Sequence, residues 1–360
     1  MNRERLQAGW ETLESEYFKN MAVLTLDGLS RHKFGRRFLD IARGRERVED
    51  PRLHVHVAGM NLESPVLVGA GWSDDGRAVD GLNLLGFAGV EVGTVTLYPQ
   101  CGNPHPRMWY KNGVGLNWMG FNSPGAQAVA HNLEGQKLSG VVGINLGKNK
   151  DTPDHLVAQE LAASANVLAP YANYFVLNFQ SPNTEGLRDS MLALLKESFM
   201  AVDETLRGQG HEIPILFKTS VDMSKEELYE TLDIAIRVGA AGIVDSNTTV
   251  DPALKAKYGW AGKPGGLSGN DPEYQRRVLE NTKLIATGLK GSSLILISAG
   301  GISDSAAAIE RTLHGAHLVE VVTGIRQNKA KTPSNINLGY LAFVEREGIN
   351  NYESMIGAAL

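Results

Sequence analysis

Short apolar runs alternate with amphipathic segments along most of the chain. The runs are almost continuously hydrophobic, which is typical of parallel strands buried on both faces. They predict strands over residues 65–71, 90–96, 141–147, 174–179, 214–219, 242–247, 294–300 and 318–323. Apolar residues at three- and four-residue spacing predict helices over residues 77–85, 126–133, 153–168, 191–206, 225–238, 272–289, 305–313 and 338–346.

Eight strands, each followed by a helix, are the pattern of an α/β protein with a (β/α)8 TIM barrel. A doubly wound open sheet is the alternative. The count of eight favours the barrel, and so does the first strand–helix turn, which carries no glycine fingerprint for a dinucleotide. From about residue 53, the sequence up to residue 71 resembles two short strands around a turn, the second of which, PVLVGAG, is the first strand of the barrel.

The N-terminal segment has a different pattern. Residues 3–27 predict a helix with one apolar stripe, formed by Leu6, Trp10, Leu13, Tyr17, Met21 and Leu24. A basic stretch follows over residues 28–48, in which only Asp40 and Glu46 are acidic. We therefore divide the chain into a helical extension, 1–50, and a barrel, 51–360. The extension is either a docked helix with a solvated basic face or an amphipathic unit that contacts an anionic membrane.

Composition narrows the classes of function. The 360 residues carry a formal net charge of −5, which disfavours a nucleic-acid binder. The only cysteine, Cys101, excludes a disulfide framework and indicates a reducing compartment, so we expect a cytoplasmic protein. We expect neither a signal peptide nor a membrane-spanning segment. Glycine is in excess, with 40 residues, and many of these follow the predicted strands.

Small and amide side chains cluster where the predicted strands end. Barrel active sites lie at the carboxyl ends of the strands, so four asparagines would meet there: Asn145, Asn178, Asn183 and Asn247. Amides can hydrogen-bond the edge of a flat polar ring. Glycine-rich segments after the last two strands, SAGGIS and VVTGI, predict a phosphate site.

Lys218 ends the fifth predicted strand among apolar neighbours. It is either half of an ion pair or a cation beside a redox ring or a substrate anion. The predicted strand ends offer no carboxylate pair of the kind that hydrolases use, and no spacing is typical of metal ligands.

Several motifs together resemble the dihydroorotate dehydrogenase family. They are EVGTVTLYPQCGNPHPR, LNWMGFN, GINLGKNKDTP, NFQSPNTEGLR, DSNTT, PGGLSG and SAGGIS, in that family's order, and they cover residues 60–326. The N-terminal extension resembles the class 2, quinone-linked branch. The resemblance implies oxidation of dihydroorotate to orotate in pyrimidine biosynthesis, with a quinone as electron acceptor.

The resemblance also implies which residues bind flavin mononucleotide (FMN) and substrate. The flavin residues would be Ala70, Gly71, Thr94, Asn145, Asn178, Lys218, Ser246, Ser268, Gly269, Gly300, Gly301, Thr323 and Gly324. The pyrimidine would contact Asn117, Asn178, Asn183, Asn247 and Thr248. Ser181 stands at the position of the catalytic base, which is a cysteine in the class 1 enzymes.

Three positions depart from the family pattern. Asp74 stands where the family has a lysine that contacts substrate and flavin, so either Arg77 or another cation compensates, or the substrate is a different ring. Tyr110 replaces an arginine expected at the quinone tunnel, and Val322 replaces a tyrosine of the last strand. Gln180, beside the base, is a smaller change. The alternatives are therefore a related flavin oxidoreductase with another substrate and a flavin-binding paralogue without turnover.

If the acceptor is a quinone, the protein must collect it from the membrane, which favours contact between the basic stretch and lipid. We therefore also expect peripheral contact of the extension with the inner face of the membrane.

Overall fold

The computed structural model describes residues 3–43, 48–181 and 191–360. Eight parallel strands close into a barrel and follow one another around it in chain order. They are β3 (Val66–Val68), β4 (Gly89–Val95), β7 (Val141–Leu146), β8 (Tyr174–Leu177), β9 (Ile215–Ser220), β10 (Gly242–Asn247), β12 (Ile295–Ala299) and β13 (Leu318–Val321). The last strand pairs with the first, Val319 opposite Val66. The predicted (β/α)8 barrel is confirmed, and the open-sheet alternative is wrong.

Helices alternate with these strands as the periodicity predicts. They are α3 (Val79–Leu84), α4 (Ala126–Leu133), α5 (Asp154–Leu168), α6 (Met191–Gly208), α7 (Lys225–Val238), α9 (Pro272–Gly288), α10 (Ser305–Leu313) and α12 (Thr332–Glu347). Three match the predicted bounds residue for residue, and α12 begins six residues before its predicted start. Short additional helices are α8 (Pro252–Lys257) and α11 (Thr323–Asn328).

Small antiparallel sheets cover the two ends of the barrel. The two strands predicted around a turn over residues 53–71 are placed differently: β1 (Val55–Val57) pairs with β2 (Met60–Leu62), and the predicted second strand, 65–71, contains barrel strand β3 instead. A second sheet, which the sequence pattern did not predict, has the order β11–β6–β5. Its strands are β5 (Met108–Lys111), β6 (Val114–Asn117) and β11 (Gly266–Gly269). This sheet brings residues from two distant loops together above the carboxyl ends of the barrel strands.

The extension contains two helices, α1 (Arg3–Ser30) and α2 (Lys33–Arg43). The predicted first helix is confirmed, and the basic stretch forms part of a second helix that was not predicted. Contacts with the barrel hold α1 in place. Glu16 accepts hydrogen bonds from Arg107, at 2.8 Å from Nη2 and 3.1 Å from Nε. Further along the helix, the backbone N–H of Ala78 donates to Asp27 Oδ1 at 3.1 Å. Whether 1–50 and 51–360 are separate domains stays a prediction.

Candidate active site

A cavity of about 830 Å³ opens at the carboxyl ends of the barrel strands. Its wall combines the ends of the barrel strands, the hairpin of β5 and β6, and one face of α1. The predicted site residues among its lining are Ala70, Gly71, Thr94, Asn117, Asn178, Ser181, Lys218, Ser246, Asn247, Thr248, Ser268, Gly269, Gly300, Gly301, Thr323 and Gly324. Positions far apart in the chain thus share one chamber, as parallel strand ends in a barrel must.

One predicted residue among those described, Asn145, does not line the cavity. Asn145 lies behind the cavity wall and is fully buried. Its carboxamide oxygen accepts hydrogen bonds from Thr94 Oγ1 at 2.6 Å and from Asn178 Nδ2 at 3.1 Å, so it orients two side chains that do line the cavity. Asn183 lies outside the described residues.

The side-chain amides form a chain of hydrogen bonds across the strand ends. Asn247 Nδ2 donates to Asn178 Oδ1 at 3.4 Å, next to the bond between Asn178 and Asn145. Thr248 also faces this part of the cavity, and its hydroxyl is buried without a hydrogen-bond partner among the described residues. A buried hydroxyl is costly when unsatisfied, so this one is available to a ligand in the cavity.

The loops after the last two strands approach the cavity through backbone. Gly300 has φ 92°, and a Cβ there would lie 2.5 Å from the hydroxyl of Tyr274. A Cβ on Gly324 would meet the carbonyl of Ile302. Beside them, Ser268 Oγ lies 3.0 Å from Thr323 Oγ1. The segment therefore offers a ligand backbone N–H groups and hydroxyls, which are the donors that phosphate groups bind.

A buried charged cluster forms the floor of the cavity. Lys218 Nζ lies 3.2 Å from Glu91 Oε1 and 3.9 Å from Glu320 Oε2. The hydroxyl of Tyr174 donates to Glu320 Oε1 at 3.5 Å. Both glutamates are at most 1% exposed. Sequence reasoning assigned Lys218 but missed the acids, although each interrupts an apolar strand as Lys218 does.

The electrostatics of this floor follow from two acids sharing one cation. Burial raises the pKa of Glu320 well above its ordinary value, and the Glu91 carboxylate adds to the rise although Lys218 opposes it. Burial lowers the pKa of Lys218, but Glu91 and Glu320 outweigh it and raise that pKa above its usual value. The ammonium therefore stays charged beneath the cavity.

The fold and the chamber agree with comparisons to known proteins. The family model described as dihydroorotate dehydrogenase matches residues 52–341. The chain belongs to the dihydroorotate dehydrogenase family.

Known members of this family resemble the chain over most of its length. The "Dihydroorotate dehydrogenase (quinone)" of Thermus thermophilus is 38% identical over 313 residues, which are 85% of this chain and 87% of that protein. The protein of the same name from Anaeromyxobacter dehalogenans is 36% identical over 330 residues, 89% of each chain. A crystal structure of the Eimeria tenella enzyme with ferulenol superposes with a TM-score of 0.80 at 28% identity, covering 89% of this chain and 93% of that one.

The aspartate that stands at the family's lysine position has an ion-pair partner in the N-terminal extension. Asp74, at the family's lysine position, forms an ion pair with Lys19 of α1, and Asn122 Nδ2 donates to the same carboxylate at 3.3 Å. Arg77 does not compensate for this charge: it lies 3.5 Å from Asp75 instead. The cation that balances Asp74 therefore comes from the N-terminal helix.

The other two departures also have neighbours in the cavity wall. The guanidinium of Arg326 lies 4.2 Å from the ring centroid of Tyr110, so a cation stands beside the position where the family's arginine is missing. The indole of Trp72 donates to the backbone carbonyl of Val322 at 2.8 Å. All four side chains line the same cavity.

Proposed function

We propose that this protein oxidises dihydroorotate to orotate with bound FMN and passes the electrons to a quinone. The observation that carries the proposal is the single chamber. It joins a phosphate-type backbone cradle, a row of amides, the Ser181 hydroxyl and an apolar opening against α1. The quinone-linked relatives support this reading and do not favour the alternative substrate.

The cofactor class follows from the family, which is flavin-dependent. The chamber suits FMN because Gly300, Gly301 and Gly324 line it with backbone that can approach a phosphate, and the hydroxyls of Ser268 and Thr323 also line it. When bound, the flavin accepts a hydride from the substrate and delivers two electrons to the acceptor. Lys218 lies in the floor, where its charge stabilises negative charge on a reduced ring.

The protein's own side chains would recognise the pyrimidine and take its proton. Asn117, Asn178 and Asn247, together with Thr248, offer donors and acceptors to the ring edge. Ser181 is only 4% exposed and would accept the proton from the carbon next to a carbonyl. A hydroxyl is a weak base, so this step needs an environment that excludes water and a positioned proton relay.

The acceptor would enter through the apolar opening between the extension and the barrel. Phe18, Met21 and Ala22 of α1 face Leu82 and Leu85 across it. An apolar passage suits a hydrophobic quinone, and Tyr110 with Arg326 gives its inner part a polar contact.

Anaerobic addition of dihydroorotate to the purified holoprotein tests the proposal. The flavin absorbance near 450 nm should bleach, because the substrate reduces the ring, and a quinone should restore it. The control is orotate, which carries the same ring and carboxylate but already has the double bond and so has no hydride to give. No bleaching with dihydroorotate would contradict the proposed function.

The extension is also our proposed membrane contact. Its exposed apolar side chains include Phe34, 86% exposed, and Ile41, 68% exposed. Lys33 and Arg37, also exposed, add positive charge on the same helix. No helix in the part of the chain that the structure describes is both long and apolar enough to span a membrane. A peripheral contact at an anionic inner membrane surface would place the apolar opening next to the quinone pool.

The double variant Phe34→Ser/Ile41→Ser should bind anionic vesicles more weakly, by about tenfold or more, since each side chain contributes up to about 2–3 kcal/mol of apolar burial. Vesicle co-sedimentation measures the effect. Leu338→Ser is the matched control, because Leu338 is 53% exposed but lies on α12 in the barrel. Equal vesicle binding by the double variant and the parent protein would contradict the membrane contact.

A further inference from the structure

One ion pair joins the extension to the wall of the chamber. Lys19 of α1 is only 7% exposed, and its partner Asp74 follows the first barrel strand. Both side chains line the cavity. The pair thus differs from the ion pairs on the outer helices, which water surrounds.

The position of Lys19 is fixed from both sides along α1. Glu16, one turn before it, is held by Arg107, and Asp27, two turns after it, is held by the backbone of Ala78. Asn122 also donates to the Asp74 oxygen that Lys19 contacts. The Lys19 ammonium is therefore held by contacts on its own helix and by Asp74. We call this part of the cavity wall, formed by Lys19 and Asp74, the rim.

The charge at this rim matters because the proposed substrate carries a carboxylate. Asp74 alone would repel that anion in a site that excludes water. A lysine ammonium has three N–H donors, and the bond to Asp74 occupies one of them. The remaining donors can bind a second carboxylate at the same rim. A second lysine of the cavity, Lys218, lies in the floor and is already shared between Glu91 and Glu320.

We propose that Lys19, on the N-terminal helix, is a substrate-specificity residue that binds the carboxylate of dihydroorotate while Asp74 positions it. The site for the anionic substrate is then completed by the extension and not by the barrel alone. This inference rests on the proposed function, because it concerns the same chamber and the same substrate.

Stopped-flow measurement of the two half-reactions in the full-length holoprotein separates this role from a structural one. In Lys19→Gln the dissociation constant for dihydroorotate in flavin reduction should rise about ten- to hundredfold, since a charge-assisted hydrogen bond is lost. Reoxidation of the reduced flavin by a quinone should change less than about threefold, as should the flavin content. Lys19→Arg should recover most of the affinity because it keeps the cation.

The controls make each outcome decisive. Lys225→Gln, at an exposed lysine of α7 that does not line the cavity, should leave both half-reactions unchanged. The exchange Lys19→Asp/Asp74→Lys keeps a cation in the pair and should bind dihydroorotate more tightly than Lys19→Gln. An unchanged dissociation constant in Lys19→Gln would overturn the inference. Equal losses in both half-reactions would also overturn it, because they would indicate that the substitution has shifted α1. If the parent protein itself is not reduced by dihydroorotate, the proposed function fails first.

Discussion

Replacing Ser181 with alanine is expected to slow flavin reduction by dihydroorotate by about 10²- to 10⁴-fold, which is the usual contribution of a positioned base. The serine lies in the chamber wall at 4% exposure, where its hydroxyl can take the substrate proton. Flavin binding should persist, because the proposed phosphate cradle lies on the loops after β12 and β13. Anaerobic stopped-flow absorbance measures the rate, and the absorbance ratio of the purified protein measures the flavin content.

A matched serine tests whether the loss is specific. Ser198→Ala removes a hydroxyl that is equally buried but belongs to α6, outside the cavity wall. This control should reduce its flavin at the rate of the parent protein. Undiminished flavin reduction in Ser181→Ala would reject the serine as the base.

Replacing Lys218 with methionine is expected to lower the free energy of unfolding by about 3–5 kcal/mol, the usual cost of breaking a buried ion pair from one side. The cation offsets the Glu91 charge inside the barrel, at 3.2 Å, and the Glu91 side chain is itself fully buried. Urea unfolding of the flavin-free protein, followed by tryptophan fluorescence, measures the change without the contribution of bound ligand.

Neutralising the acids as well should reverse most of this loss. The triple variant Lys218→Met/Glu91→Gln/Glu320→Gln buries no net charge, so its stability should return close to that of the parent protein. Lys255→Met is the matched control: this lysine is 8% exposed, and burial alone lowers its pKa, so removing its charge should cost little. A loss in Lys218→Met no larger than that in Lys255→Met would show that the pair does not hold the floor together.

The barrel could be predicted because its strands carry a strong local signal. A parallel strand buried on both faces is a continuous apolar run, and residues 242–247 match the observed strand in full. The strands of the small sheet escaped prediction because they are only four residues long and contain Gly115 and Ser268 among their apolar residues. The pairing of β6 with β11 also joins segments about 150 residues apart, which no local sequence pattern can show.

Of the three charged residues of the cavity floor, only Lys218 was predicted, although the sequence also indicates the two acids. Glu91 and Glu320 both interrupt apolar runs in the way that Lys218 does. An acid inside a strand that is buried on both faces needs a partner, and three such residues on different strands must share one interior. The ion-pair alternative for Lys218 therefore applies equally to Glu91 and Glu320.

The partner of Asp74 could not be predicted from sequence. Lys19 is 55 residues away and lies on a different element. The sequence left three alternatives open for Asp74: compensation by Arg77, compensation by another cation, or a different substrate. It named only Arg77 because that residue is a neighbour along the chain. How α1 lies across the barrel decides the matter, and that depends on tertiary packing.

The way α1 is fastened limits how freely this chain can be cut or recombined. Cutting the chain near residue 50 would remove Lys19 from Asp74 and Glu16 from Arg107, whose side chain is only 9% exposed, so each of these charges would lose its ion-pair partner. A hybrid that joins this barrel to a foreign leader would meet the same difficulty unless the leader carried a base opposite Asp74 and an acid opposite Arg107. The extension therefore supplies side chains that the barrel needs as ion-pair partners, and an unrelated N-terminal segment could not replace it without them.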